Sequence, residues 1–206
     1  MRPNPEFRHD NRALLETLID EIGFGMVFAQ TPDGPRVAHT PVLSTGDGAV
    51  QFHLSRGNAL AKYLDGTTAL LVLNGPDAYV SPRWYADRGQ VPTWNYVSVE
   101  LEGRVRRMDS EGLLAFLETL SERHEARLDD GQDNDRPWTM DEVPEQKLRK
   151  LLSGIIGFEL EVQAWRPTFK LSQNKDAVDR NNVATALETA GSPAIAALMR
   201  TFGQPA

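Results

Sequence analysis

The segment from Gly23 to Leu54 constrains the fold more than any other part of the chain. It holds three β-type runs, 23–31, 36–44 and 49–54, separated by Pro32-Asp33-Gly34 and by Gly46-Asp47-Gly48. Turns this short join only antiparallel strands, because a parallel connection needs a dozen or more residues. More strands follow. Thr67–Leu73 is a continuous β-type run, Ala78–Ser81 is a second short one, and Ile155–Trp165 alternates apolar with polar residues. Thr93–Met108 is long and alternating, with Gly103 inside it, which marks a bend or bulge of the kind a barrel needs. The chain thus carries six or seven strands, joined mostly as hairpins, with a few helices between them. This is an α+β, mainly β pattern: an antiparallel barrel with peripheral helices, and not a doubly wound parallel sheet.

The helices show a 3.6-residue period. Asp10 is placed to cap a helix to about Ile22, with Leu14, Leu15, Leu18, Ile19 and Ile22 on one face. Gly57–Leu64 reads as a short helix burying Leu60, Ala61 and Leu64. Asp109 or Ser110 caps a helix carrying Leu113, Leu114, Leu117 and Leu120, and Pro144–Ser153 forms another. From about Asp176 the tail is helical, with Ile195, Leu198, Met199 and Phe202 at i, i+3, i+4 and i+7. We therefore expect one domain over residues 1–206, with a helical segment at 1–22 and a helical appendage at 174–206.

Composition narrows the chemistry. The chain has 206 residues, no cysteine, and a net charge of −7 from 22 basic and 29 acidic side chains. Disulfides, thiol nucleophiles, thiolate zinc sites and Fe–S clusters are excluded. An acidic balance disfavours a broad nucleic-acid footprint, although Arg104 and Arg106 share a strand face near Arg83, Arg88 and Arg107. The N-terminal residues hold no apolar run of the signal-peptide type, and Thr67–Pro76 is too short for a membrane helix. A cytoplasmic protein without membrane contact is expected. Neither G-x-G-x-x-G after a strand nor G-x-x-x-x-G-K-[ST] occurs. The four histidines are scattered, and the acidic loop Asp129–Asp135 lacks calcium-loop spacing, so no metal site and no catalytic triad is expected.

Four segments are able to hold a ligand. His53-Leu54-Ser55-Arg56-Gly57-Asn58 lies where a strand gives way to the short helix; a hydroxyl, a guanidinium and an amide there suit a phosphate. The plainer alternative is that Ser55 or Asn58 caps and Arg56 is solvated. In Val37–Val42, alternation puts His39 with Val37 and Pro41 on one face and Thr40 with Ala38 and Val42 on the other. Tyr79–Tyr85 and Val91–Tyr96 gather aromatics around prolines, suited either to stacking on a flat ring or to ordinary packing. Lys170-Leu171-Ser172-Gln173-Asn174-Lys175 joins cations to polar side chains before the tail, and Ser172 or Asn174 there is otherwise a helix cap.

These strings, in this order, resemble the PaiB family of FMN-binding negative transcriptional regulators. The matching strings are Ala38-His39-Thr40-Pro41, Phe52–Asn58, Ala78–Tyr85, Val91–Val97, Pro137-Trp138, Ile156–Glu159, Lys170–Asn174 and Asp179-Arg180. Before Lys170 the chain reads Arg166-Pro167-Thr168-Phe169 where the family usually has Gly-Lys-Trp. The resemblance implies an FMN-binding split barrel acting as a homodimer, with FMN at the subunit interface and its phosphate at His53–Asn58. It implies cofactor contacts from His39, Thr40, Pro41, His53, Leu54, Ser55, Arg56 and Asn58. Trp94, Asn95, Lys170, Ser172 and Gln173 complete that set. The function implied is negative regulation, through DNA or a protein partner and without a catalytic residue. The alternatives are an FMN-dependent oxidoreductase using a nicotinamide donor, or a non-catalytic flavin- or haem-binding protein.

Overall fold

The structure is a computed structural model, and it describes residues 5–128 and 136–203. The acidic loop Asp129–Asp135 lies outside the described residues. Six strands form: β1 (Phe24–Thr31), β2 (Gly34–Ser44), β3 (Ala49–Ser55), β4 (Thr68–Val80), β5 (Thr93–Arg107) and β6 (Ile155–Lys170). The helices are α1 (Arg12–Ile22), α2 (Ser110–Glu125), α3 (Glu145–Ser153), α4 (Ala177–Thr189) and α5 (Pro193–Phe202). The strands close in the order β1-β2-β3-β6-β5-β4, as the antiparallel barrel reading requires.

The chain packs as two compact units. The first comprises Glu16–Val72 and Leu101–Ala164; the second comprises the described residues of Met1–Leu15, Leu73–Glu100 and Trp165–Ala206. Within the first unit, β1 pairs with β2 from Phe24↔Pro41 to Thr31↔Gly34, and β1 pairs with β4 at Met26↔Val72. β3 pairs with β6 along its whole length, including Phe52↔Phe158 and His53↔Gly157. The rings of Phe52 and Phe158 stack at 5.5 Å and both are fully buried. Such a pair adds about 0.5–1.5 kcal/mol beyond the area it buries. Val27, Val42, Val50, Leu71, Leu101, Val105 and Leu160 complete this core. Helix α2 is capped by Asp109, whose side chain accepts from Gly112 N at 2.7 Å. Its Leu113, Phe116 and Leu120 cluster with Leu43, Met108 and Ile155. In the second unit, α4 and α5 bury Val183, Leu187, Ile195 and Met199.

Four expectations change. Residues 57–64 are not a helix but a run of turns, closed by Asn58 N to Ser55 O, Ala61 N to Asn58 O and Tyr63 N to Leu60 O. The Asn58 side chain takes the Leu60 N–H at 2.9 Å, an Asx-type contact that competes with the helical ladder. The runs at 67–73 and 78–81 are one strand, β4, passing through Gly75 and Pro76. Strand β6 continues past Trp165 to Lys170. The first helix is capped by Asn11, which accepts from Leu14 N at 3.2 Å, rather than by Asp10.

Candidate functional site

Strand parity sorts the β2 and β3 residues of the first unit. Thr40 and Leu54 face the core, 1% and 3% exposed, and Thr40 Oγ1 donates to His53 O at 2.6 Å. His39 is exposed on the opposite face with Pro41 partly covered beside it, and it sits across from Met26. His53 is half-buried, and its Nδ1 is shielded from solvent without a hydrogen-bond partner. Its ring lies 5.9 Å from that of Phe116. Burial holds the imidazole below its ordinary pKa.

The sign of that shift gives a test. As pH falls through about 6.5 the unfolded chain takes the proton before the folded one. Stability is therefore fully present above the unfolded value and declines below it. Replacing His53 by Gln is expected to flatten that decline, read as the urea midpoint at about pH 7.5 and about pH 5. An unchanged slope would show that burial of His53 has no titration linkage.

Ser55 and Asn58 serve the backbone: Ser55 Oγ accepts from Gly57 N at 3.3 Å, and Asn58 holds Leu60 N. With no helix at 57–64, these residues do not stand at a helix start. Arg56 reaches the opposite way, donating from Nε to Ser153 O at 2.9 Å. There it lines a pocket of about 210 Å³ with Arg107, Met108, Asp109, Ser110, Leu113, Leu152 and residues 155–157. Two guanidiniums, a hydroxyl and the first turn of the 16-residue α2 meet over an apolar floor. Such a combination favours an anion attached to a less polar body. Asp109 uses one free N–H of that turn for itself. Gly157 keeps the floor low: a Cβ there would lie 2.9 Å from Met108 Sδ and 3.1 Å from Leu113 Cδ1.

In the second unit the expected ligand residues divide. Asn95 is 1% exposed, and its Nδ2 donates to Ser172 Oγ at 2.9 Å and to Met199 Sδ at 3.3 Å. Ser172 holds a left-handed backbone, φ 64°, which that side-chain bond supports. Gln173 clamps the end of β6, accepting from Leu171 N at 2.7 Å and donating to Phe169 O at 2.5 Å. These three polar side chains are occupied within the protein. Lys170 is part-buried and donates to Thr93 Oγ1; burial, and then the nearby charge of Lys175, lower its pKa. Trp94 is 53% exposed, edge-on to Tyr79 at 6.1 Å.

Sequence reasoning missed Arg107 and Ser110, which meet Arg56 only because β6 returns beside β3. It gave no role to Gln90, and it singled out Asp179 only as part of a matching string, without its buried position. Asp179 Oδ1 accepts from Ala86 N at 2.7 Å and Oδ2 from Gln90 Nε2 at 3.1 Å. The signal for Asp179 was its position three residues after Asp176, which caps α4 by accepting from Asp179 N.

The protein resembles known ones along most of its length. A protease synthase and sporulation protein of Bacillus subtilis, PAI 2, is 29% identical over 91% of this chain and 89% of its own length. An uncharacterized protein of Emericella nidulans is 29% identical over 82% of this chain and 80% of its own. Among solved structures, the FAD and heme binding protein from Mycobacterium smegmatis superposes with a TM-score of 0.61 at 18% identity, covering 84% of this chain and 77% of that one. A conserved hypothetical protein from Mycobacterium tuberculosis gives 0.60 at 13% identity, covering 85% and 94%. The structural likeness establishes the shared fold. The model of the putative FMN-binding domain matches residues 1–164. A match over that much of the chain, on a closed six-strand antiparallel barrel, settles membership: this chain belongs to the putative FMN-binding domain family, the PaiB-like flavin-binding split barrels.

Proposed function

We propose that this protein is a flavin-dependent negative regulator of the PaiB type, working as a cytoplasmic homodimer, with the FMN phosphate held by Arg56, Arg107 and Ser110. The observation that carries the reading is the pocket of the first unit, where two guanidiniums and the start of α2 converge over an apolar floor. FMN, when bound, would supply reversible electron storage to a chain that has no thiol–disulfide couple of its own. His53 is paired across the strands with the pocket residue Gly157, and its buried Nδ1 has no hydrogen-bond partner. His39 and Pro41 lie on the outward face of β2.

That face supports the homodimer. Phe24, Phe28 and Val37 are 53%, 36% and 43% exposed, and Phe28 is paired with Val37. An apolar sheet face of this kind calls for a cover. Regulation through a protein partner fits better than a direct DNA footprint. Of the two arginines expected on the β5 face, Arg106 is bonded to Glu159 at 2.6 Å, and that bond raises its pKa. A second reading, an FMN-dependent oxidoreductase fed by a nicotinamide donor, is favoured by His53 as a group able to exchange a proton.

Titration of the purified protein with FMN tests the site. A saturable yellow complex is expected. Arg56→Ala with Arg107→Ala should weaken FMN at least about tenfold, since a charge-assisted hydrogen bond contributes about 1.5–3 kcal/mol. Riboflavin, which lacks the phosphate, should bind the double variant as it binds the parent. Equal losses for FMN and riboflavin, with unchanged melting, would move the phosphate elsewhere. Oxidation of a nicotinamide donor by the loaded protein would favour the second reading.

A further inference from the structure

A second pocket, of about 270 Å³, lies in the second unit and has a different chemistry. Asn74, Gly75, Asp77, Trp94, Tyr96 and Val97 line it. The parity of β5 turns Trp94 and Tyr96 outward while Asn95 and Val97 point in. Trp94 and Tyr96 are 53% and 36% exposed. Holding two aromatic rings in water is unfavourable unless something covers them. Tyr79, edge-on to Trp94, restricts that indole and presents a prepared ring. Gly75 forms part of the wall, and it is glycine because a Cβ there would lie 3.2 Å from the Cβ of the inward-facing Val97. Asp77 puts an exposed carboxylate at the rim, and none of the six lining residues is basic.

We infer that this pocket binds a flat organic cation, an N-alkylated heteroaromatic ring, stacked on Trp94 and Tyr96 with its charge toward Asp77. The electron-rich faces of the two rings attract a cation, and the carboxylate adds to that attraction. Anions are repelled by the same groups, which sets this site apart from the arginine-lined pocket of the first unit. The inference does not depend on the flavin reading.

The probe is 1-methylnicotinamide, with uncharged nicotinamide as its control, followed by calorimetry and ligand-observed NMR on the full chain. Saturable binding of the cation is expected, with nicotinamide at least about tenfold weaker. Asp77→Asn should reduce that discrimination, and Trp94→Ala should abolish saturation while leaving the melting curve in place. Asp77 is exposed, so its variant tests the charge even if loss of the indole disturbs folding. Equal binding of the two probes, or no saturation, would overturn the inference. Displacement of the cation by stoichiometric FMN would overturn it too, by showing that the flavin occupies this surface. Loss of binding as the protein is concentrated would assign the aromatic face to a second copy and equally overturn it.

Discussion

Gly103→Ala is expected to destabilise the protein by about 3 kcal/mol or more, lowering the melting midpoint by roughly 6–12 °C. The cause is space. A Cβ at Gly103 would lie 2.0 Å from Glu161 O, 2.7 Å from Glu161 C and 2.8 Å from Leu160 Cδ2. The first two obstacles are backbone atoms of the neighbouring strand β6, so no rotamer change relieves them, and the two strands must part where Leu101, Val105 and Leu160 are buried. A second glycine separates this effect from conformational strain. Gly46 has φ +77°, and a Cβ there meets nothing within 4 Å. Gly46→Ala therefore costs only the left-handed backbone penalty, about 1–2 kcal/mol. Thermal melts of both variants should show the Gly103 loss as clearly the larger. Equal losses would mean that β5 and β6 do not approach as closely at this point.

What the sequence revealed and what it hid follow from the range of the interactions involved. The two turns around 32–34 and 46–48 are local, and so are the caps of α2 and α4; short-range chemistry is sufficient to place them. Gly75 and Pro76 look like a strand break because each weakens a strand by itself. Strand β4 crosses them because its residues are paired and packed by partners far away in sequence. At 57–64, the spacing of Leu60, Ala61 and Leu64 satisfies a helical period, yet consecutive turns bury the same three residues. Periodicity reports which side chains are covered, and two backbone paths can cover one set.

The same reasoning applies to the candidate site. Asn95 was open to a correct reading from parity, since it falls in step with Val97 and Val99 and out of step with Trp94 and Tyr96. Ser172 and Gln173 were not, because their partners depend on how the end of β6 is capped. Polar residues in a specific motif are as readily spent on holding a chain end as on holding a ligand. The pocket joins Arg56 and Arg107, 51 positions apart in sequence, which no local pattern brings together.

Asp179 shows how a family motif can be structural, and its replacement carries the second large effect. The chain of donors is fixed at one end. Lys175 Nζ has only protons to give, and it gives one to Gln90 Oε1. That orients the Gln90 amide so that Nε2 donates onward to Asp179 Oδ2, while Ala86 N donates to Oδ1. Both oxygens of a side chain that is 4% exposed must therefore accept, which a carboxylate does and a carboxamide cannot. Asp179→Asn should lose about 2 kcal/mol or more, because its amide nitrogen faces a donor in either orientation. Asp179→Ala should lose about 3–5 kcal/mol by leaving Ala86 N and Gln90 without acceptors. Loosening of residues 81–92 should accompany it, read as faster tryptic cleavage at Arg83 and Arg88 under native conditions. Tyr85, buried in this segment and held above its ordinary pKa first by burial and then by the Asp179 charge, should titrate at lower pH in the alanine variant. Equal stability of the asparagine variant and the parent would overturn the donor chain, while slow cleavage in the alanine variant would show that the segment is held by its apolar packing instead.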